Sequence, residues 1–559
     1  MATPVLSRTS ALFLLLSSAS YVAAQGSPVQ VNVPSTPSTD HVVNPNFLGI
    51  SLELSALDIY FGNDSSSTPQ PVLNYLTALN MANATGFPYR LRIGGNSMDS
   101  STFVPSQTGQ FLNFTDPNAN FNDQPVTYGP VFFEILNKVS DSIGAEYLLG
   151  LSLRNPSDPN SPLLAGSAQS ALGNSLDALL LGNEPDLYTS HGNRPNLKNY
   201  TVEDYVNDFS TASNLLKNTS AGDITARSNL AGPTICCSWD LATTLQQNWL
   251  SDFSNELKYI TLVLFLLVSM YYVQHANAVQ LAKWQLPGIQ YALGSNPTPK
   301  PVLMDEFNSA SCGGIPGTSD TFGAALWTAD YSLQMASVGY AAAYIHTREP
   351  GVSYNLFSPP PANNTAGGWT TGAPYYGMLP VSYALRGNGS KIVDLDISSS
   401  TTNKNATSAG YAVYDANSSH VNTVVLFNFA DTKAQTQGYN LGNVFPAGYS
   451  VTVKYLVAPA INEVFNIAWG GQTLNGVGDG KLVNATWQSN GVSAQDFVDK
   501  QVDCSNGCTI NVPGPGLAVV SAVSPVVATS HRNNGASSGM RVGFLAPSAF
   551  VLVLACIML

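Results

Sequence analysis

The chain has 559 residues, only 10% of them charged, and a formal net charge of −13. Sparse charge with an acidic balance excludes an electrostatic grip on nucleic acid or anionic lipid, and no block of Lys or Arg offsets it. The length exceeds what one hydrophobic core fills, which predicts one large domain and a smaller one.

In chain order, residues 1–24 carry Arg8, the apolar run 11–16 and small residues ending in Ala23-Ala24. This is the pattern of a cleaved secretory signal, too short to span a membrane. Asn-x-Ser/Thr triplets recur from Asn63 to Asn484, as in a secreted glycoprotein. Eight short apolar runs follow: FLGISLEL (47–54), YRLRIGGN (89–96), EYLLGLSL (146–153), LDALLLGNE (176–184), NLAGPTIC (229–236), YITLVLFLL (259–267), KPVLMDEFN (300–308) and YAAAYIHT (340–347). Segments of helical character separate them, and continuous apolarity suits parallel strands buried on both faces. The expected fold is therefore a (β/α)8 barrel over residues 25–379, with a doubly wound open sheet as the competing arrangement.

From residue 380 the texture turns to period-two alternation, as in YAVYDANSSHVNTVVLFNFAD, YSVTVKYLVAP and GLAVVSAVS. It predicts an antiparallel β-sandwich over residues 380–526, to which the stretch 29–35 adds a strand. Residues 527–543 read as a polar stalk with a run of small residues. The last sixteen, 544–559, form a greasy tail with no basic flank, the order that directs exchange for a glycolipid anchor; a plain membrane-spanning tail is the alternative. Cysteines stand at 236, 237, 312, 504, 508 and 556. Cys504 and Cys508 are spaced for a local disulfide, whereas Cys236, Cys237 and Cys312 leave one thiol unmatched.

Two carboxylates fall at the C-terminal ends of expected barrel strands, where barrel enzymes carry their working groups. Glu184, in LLLGNEPDLY, ends the fourth run and Glu306, in VLMDEFNS, ends the seventh. A facing pair of this kind is the minimal equipment for glycoside hydrolysis, one carboxyl protonated as acid and the other ionised. Asp305, next to Glu306, is expected to point the opposite way along a regular strand.

These residues carry a resemblance. NEP on strand four with a Glu on strand seven looks like the retaining glycosidases. LGISLELSALDIYFGND, YRLRIGGNSMDSS, LLLGNEPDLY and KPVLMDEFNSASCGG resemble fungal members of glycoside hydrolase family 79, the β-glucuronidase and heparanase family. The resemblance spans roughly residues 28–525. It implies Glu184 as acid/base, Glu306 as nucleophile and Asn183 as donor to the sugar 2-hydroxyl. It further implies that Glu53 and Asn96 touch sugar hydroxyls, that Tyr354 closes the site, and that the Gly313 and Gly314 amides hold the substrate carboxylate. The expected protein is a monomeric retaining exo-β-glucuronidase acting on a β-glucuronide with no metal or cofactor, with a heparanase-like endo-β-glucuronidase or a catalytically impaired cell-surface glycan-binding protein as the alternatives; by its tail it meets a membrane only through a glycolipid.

The sequence departs from the family twice. Ser311-Cys312 stand where relatives have an aromatic before the glycines. Residues 262–272 look like an apolar insertion in strand six, with His275 kept as the residue that orients the nucleophile and Ala276 in place of a tyrosine. An insertion of that size, as from a retained intron, predicts a disturbed barrel and a poor enzyme.

Overall fold

The computed structural model describes residues 27–523, apart from 81–85, 121, 266–271, 295–297, 362–366, 432–434, 443, 446–448 and 490–491. The signal segment, the stalk and the greasy tail lie outside the described residues. Among the described residues, no helix is long and apolar enough to cross a membrane.

Eight parallel strands close into a barrel: β1 (Leu48–Glu53), β2 (Tyr89–Gly94), β3 (Ala145–Leu151), β4 (Leu176–Leu181), β5 (Leu230–Ile235), β6 (Leu257–Phe265), β7 (Val302–Asn308) and β8 (Tyr340–Thr347). Alternation sorts their side chains. Leu148, Leu180, Ala231, Tyr259, Leu303 and Tyr344 fill the interior, while Leu149, Leu181, Leu230, Met304 and Ile345 face outward into the main core. Both faces being dry explains why each run is apolar without interruption.

Strand six differs from the sequence reading. Leu262 and Val263 are fully buried within β6, and Val263, Leu264 and Phe265 pair with Glu306, Phe307 and Asn308 of β7. The first four residues of the supposed insertion are thus the strand's own end, and at nine residues β6 keeps an ordinary strand length. Residues 266–271 lie outside the described residues. Beyond them Tyr272 is buried, and its hydroxyl donates to the Ser309 carbonyl at 2.7 Å.

Behind the barrel lie helices α1 (His275–Ala282), α2 (Phe322–Val338) and α3 (Ala373–Ala384). The expected domain boundary at 379/380 falls inside α3, and the large antiparallel sheet begins at β9 (Ser390–Asp394). The sheet continues through β10 (Ser408–Asp415), β11 (Val421–Asn428), β13 (Ser450–Val457) and β15 (Gly516–Val523). A second, smaller sheet holds β12 (Gln437–Asn440) and β14 (Thr509–Val512), and the short strand Val29–Gln30 pairs with β12 in parallel. On β11 and β15 alternate residues serve two cores. Val424, Leu426, Ala518 and Val520 pack between the sheets; Val425, Phe427, Leu517 and Val519 join the barrel's core.

Cys504 and Cys508 form a disulfide, and Cys236, Cys237 and Cys312 are free thiols.

Candidate active site

The C-terminal strand ends surround a cleft of about 560 Å³ lined by Glu53, Asn96, Glu184, Phe265, Glu306 and Tyr354, among others. Glu184 is placed there by an unusual backbone. It stands between the end of β4 and the 3-10 turn Pro185–Leu187 with φ 46° and ψ 53°, left-handed for a bulky residue before proline. That conformation costs about 1–3 kcal/mol. It is held by the Glu184 N–H, which donates to the Thr234 carbonyl of β5 at 3.1 Å. Burial raises the Glu184 carboxyl well above its ordinary 4.5, with the charges of Glu306 and Asp186 adding to the effect. The site therefore favours the protonated form of this side chain.

Glu306 sits in the opposite setting. Its carboxylate is ion-paired with the buried Arg92 guanidinium from β2, and His346 Nδ1 of β8 stands 3.7 Å from its other oxygen. Arg92 also donates to Asn183 Oδ1 at 2.6 Å, and Asn183 Nδ2 donates to Asn96 Oδ1 at 2.8 Å. A hydrogen-bonded row thus runs from Glu306 across the barrel mouth to the turn carrying Glu184. Burial lowers the Arg92 pKa, but Glu306, Asp305 and Glu53 outweigh it and keep the guanidinium charged.

Glu53 ends β1 and accepts from the Ser97 N–H at 2.8 Å, with His346 Nε2 at 3.4 Å. Burial alone would raise its carboxyl; hydrogen bonding and the charges of His346 and Arg348 instead bring it down to about 2. Tyr354 is buried against Phe265, ring centroids 6.3 Å apart, and the two form one wall.

Three expected site residues are placed otherwise. His275 lies at the start of α1, fully enclosed, with Nδ1 at 2.9 Å from Asp330 of α2 and Nε2 at 3.0 Å from Asp394 of β9. Both ring nitrogens are committed behind the barrel, so it makes no contact with Glu306; Arg92 and His346 stand beside that carboxylate instead. Gly314 donates its N–H to the Ser311 carbonyl at 3.2 Å, and the Gly313 carbonyl accepts from Ser353 at 2.7 Å. The tight turn uses these groups, and Ser311 and Cys312 supply its cleft surface.

Asp305 is a further correction. Met304 and Phe307 pair with Ala343 and Ile345, which leaves two residues of β7 opposite one of β8, so the strand bulges at Asp305-Glu306. The extra residue interrupts alternation and turns both carboxyls toward Arg92, Asp305 Oδ2 lying 3.7 Å from Nε. Burial is the main reason that the Asp305 carboxyl rises to about 7.

Sequence reasoning missed Arg92, His346 and Arg348. The first two carried a legible signal: Arg90 and Arg92 alternate within an otherwise apolar strand, and His346 follows the inward Tyr344 by two. Among the described residues, no cluster of three or more His, Cys, Asp or Glu could hold a metal ion.

The "Glycosyl hydrolase family 79 C-terminal beta domain" matches residues 410–519, the run of strands from β10 to β15. A beta-glucuronidase of Aspergillus niger is 27% identical over 475 residues, covering 78% of this chain and 83% of that protein. A Neurospora crassa beta-glucuronidase is 25% identical over 515 residues, covering 82% and 90%. Residues 410–519 are thus similar to the C-terminal β domain of glycoside hydrolase family 79, and most of the chain is similar to the two beta-glucuronidases. Among solved structures, a 4-O-α-L-rhamnosyl-β-D-glucuronidase from Fusarium oxysporum superposes on this chain with a TM-score of 0.68 at 20% identity, over 88% of this chain and all of that one. The GH51 arabinofuranosidase of Xanthomonas axonopodis pv. citri reaches 0.56 at 12% identity over 89% of this chain and 99% of that one. Both share the barrel and β-domain fold. The chain is a glycoside hydrolase built on that fold.

Proposed function

We propose that the chain is a retaining exo-β-glucuronidase that releases glucuronic acid or its 4-O-methyl form from glycans. One observation carries the proposal: Glu184 and Glu306 line one cleft in different settings, the first with its pKa raised by burial and the second ion-paired to Arg92. The names of the two beta-glucuronidase relatives support the substrate class.

In this reading Glu184 protonates the leaving oxygen while the Glu306 carboxylate attacks the anomeric carbon. Water then hydrolyses the glycosyl-enzyme, with Glu184 acting as base. Arg92 fixes the attacking oxygen, and Glu53 and Asn96 meet sugar hydroxyls. Tyr354 and Arg348, on the strand-eight side, meet the substrate carboxylate.

The test is hydrolysis of 4-nitrophenyl β-glucuronide against the β-glucoside, followed by product sizing on a glucuronate-capped oligosaccharide. Release of single uronate residues, with the glucoside poorly cleaved, is expected. Internal cleavage would replace the exo reading with an endo one, and preference for the glucoside would overturn the uronate assignment.

We further propose that the enzyme is secreted and held at the cell surface by a glycolipid, a reading carried by the order of signal, sequons, stalk and tail. Phosphatidylinositol-specific phospholipase should move it from membrane to soluble fraction. Retention in the membrane would contradict the anchor.

A further inference from the structure

Cys236 and Cys237 follow β5 directly, and both line the cleft beside Glu184. Their backbone is fixed: the N–H groups of Cys236, Cys237 and Ser238 donate to the Asp186 carboxylate at 2.9, 2.8 and 2.7 Å. Asp186 is two residues beyond Glu184, so the acid and the two thiols ride on one hydrogen-bonded unit. Cys236 is buried and Cys237 exposed. The influence of the two adjacent thiols on each other lowers the Cys237 pKa and raises that of Cys236, burial adding to the latter. Cys236 lines the same cleft as Glu184, and its thiol acts against the rise of the Glu184 pKa.

We propose that Cys236 and Cys237 are a redox modification site of the cleft, closing to a vicinal disulfide by exchange with a low-molecular-weight disulfide and so withdrawing the thiol contact from Glu184. The exposed Cys237 thiolate attacks one sulfur of glutathione disulfide and expels one glutathione thiolate. Cys236 then gives up its proton and attacks Cys237 Sγ, expelling the glutathione held there. Two protein thiols are oxidised, one glutathione disulfide is reduced, and two glutathione molecules leave. The effect on Glu184 rests on reading it as the catalytic acid; the exchange chemistry does not.

The purified full chain is incubated with glutathione disulfide, remaining thiols are blocked with iodoacetamide, and the peptide spanning Cys236-Cys237 is weighed. The expected peptide is two hydrogens lighter than the reduced form and carries neither glutathione nor alkyl groups. In Cys236→Ser the reaction should stop with glutathione on Cys237, and in Cys312→Ser closure should proceed as in the parent. Alkylation of both thiols after oxidation, lasting glutathione on Cys237 of the parent, or a bridge to Cys312 would overturn the proposal. This readout needs no turnover, so it fails independently of the glycosidase reading. In active enzyme, closure removes a thiol that favours ionised Glu184, and the basic limb of kcat/KM should move to higher pH. A limb that stays in place in fully closed protein would overturn the link to Glu184.

Discussion

Glu184 and Glu306 are the same residue type at equivalent strand ends, and their neighbours set them apart: burial raises the Glu184 pKa, whereas Glu306 is ion-paired with Arg92; in the proposed reaction Glu184 is the acid. An acid of this kind must carry its proton to act. Activity should therefore be lost as pH rises through the Glu184 pKa, which burial places well above 4.5, and that basic limb should vanish in Glu184→Ala. Glu184→Ala should keep turnover on aryl glycosides with good leaving groups and lose it on alkyl or sugar leaving groups. Equal loss on all substrates would count against the assignment. Arg92→Met leaves Glu306 and Asp305 without their shared cation. Because displacing a reacting group by about 1 Å costs roughly 100-fold, kcat should fall by at least that factor while KM changes little. A loss confined to KM would mean that Arg92 binds substrate instead of positioning the nucleophile. The two carboxylates were legible in the sequence because each closes an apolar run. Arg92 was less so, since nothing in YRLRIGG says what its charge will face.

At the level of elements, every barrel strand was legible from its apolar run, as the coincidence of YAAAYIHT with β8 illustrates. What alternation could not reveal is a bulge. No residue in VLMDEFNS announces it, yet it turns Asp305 inward beside Glu306, because register is decided by the two flanking strands. Strand six misled for a related reason. Its length was judged from relatives, whereas pairing with the bulged β7 lets β6 run on to Phe265 at the cleft wall. The buried Asp305 makes a measurable claim. Its folded pKa of about 7 lies above its ordinary 3.8, so it is bound neutral at low pH and increasingly costs stability as pH rises from about 4 to 7. The melting temperature of Asp305→Asn relative to the parent should accordingly rise across that window. A constant difference from pH 4 to 8 would show that Asp305 does not titrate there.

Across the whole molecule, the large sheet is apolar on both faces because it covers the sandwich core with one and the barrel helices with the other. This was legible only as texture, since VNTVVLFN does not say which of its two rows meets which partner. His275 was expected in the site and instead stitches this contact, with Asp330 on α2, Asp394 on β9 and the Tyr411 hydroxyl donating to Asp330 at 2.6 Å. Burial lowers its pKa, but the two carboxylates carry it from 6.5 up to about 10. A raised folded pKa gives stability that is complete below about 6.5 and is lost as pH climbs toward 10. His275→Gln should remove that slope from the thermal melting profile, and His275→Ala should cost about 3–5 kcal/mol by leaving buried carboxylates unpaired. A parent profile flat from pH 7 to 10 would contradict this. The claim that organises the whole molecule is that this barrel holds Glu306 ready to form a covalent glycosyl-enzyme. It is tested most directly by following hydrolysis of an aryl β-glucuronide by proton NMR and identifying the anomer of glucuronic acid that appears first. The β-anomer appearing first, with the α-anomer growing in only by mutarotation, is the predicted result; the α-anomer appearing first would contradict it.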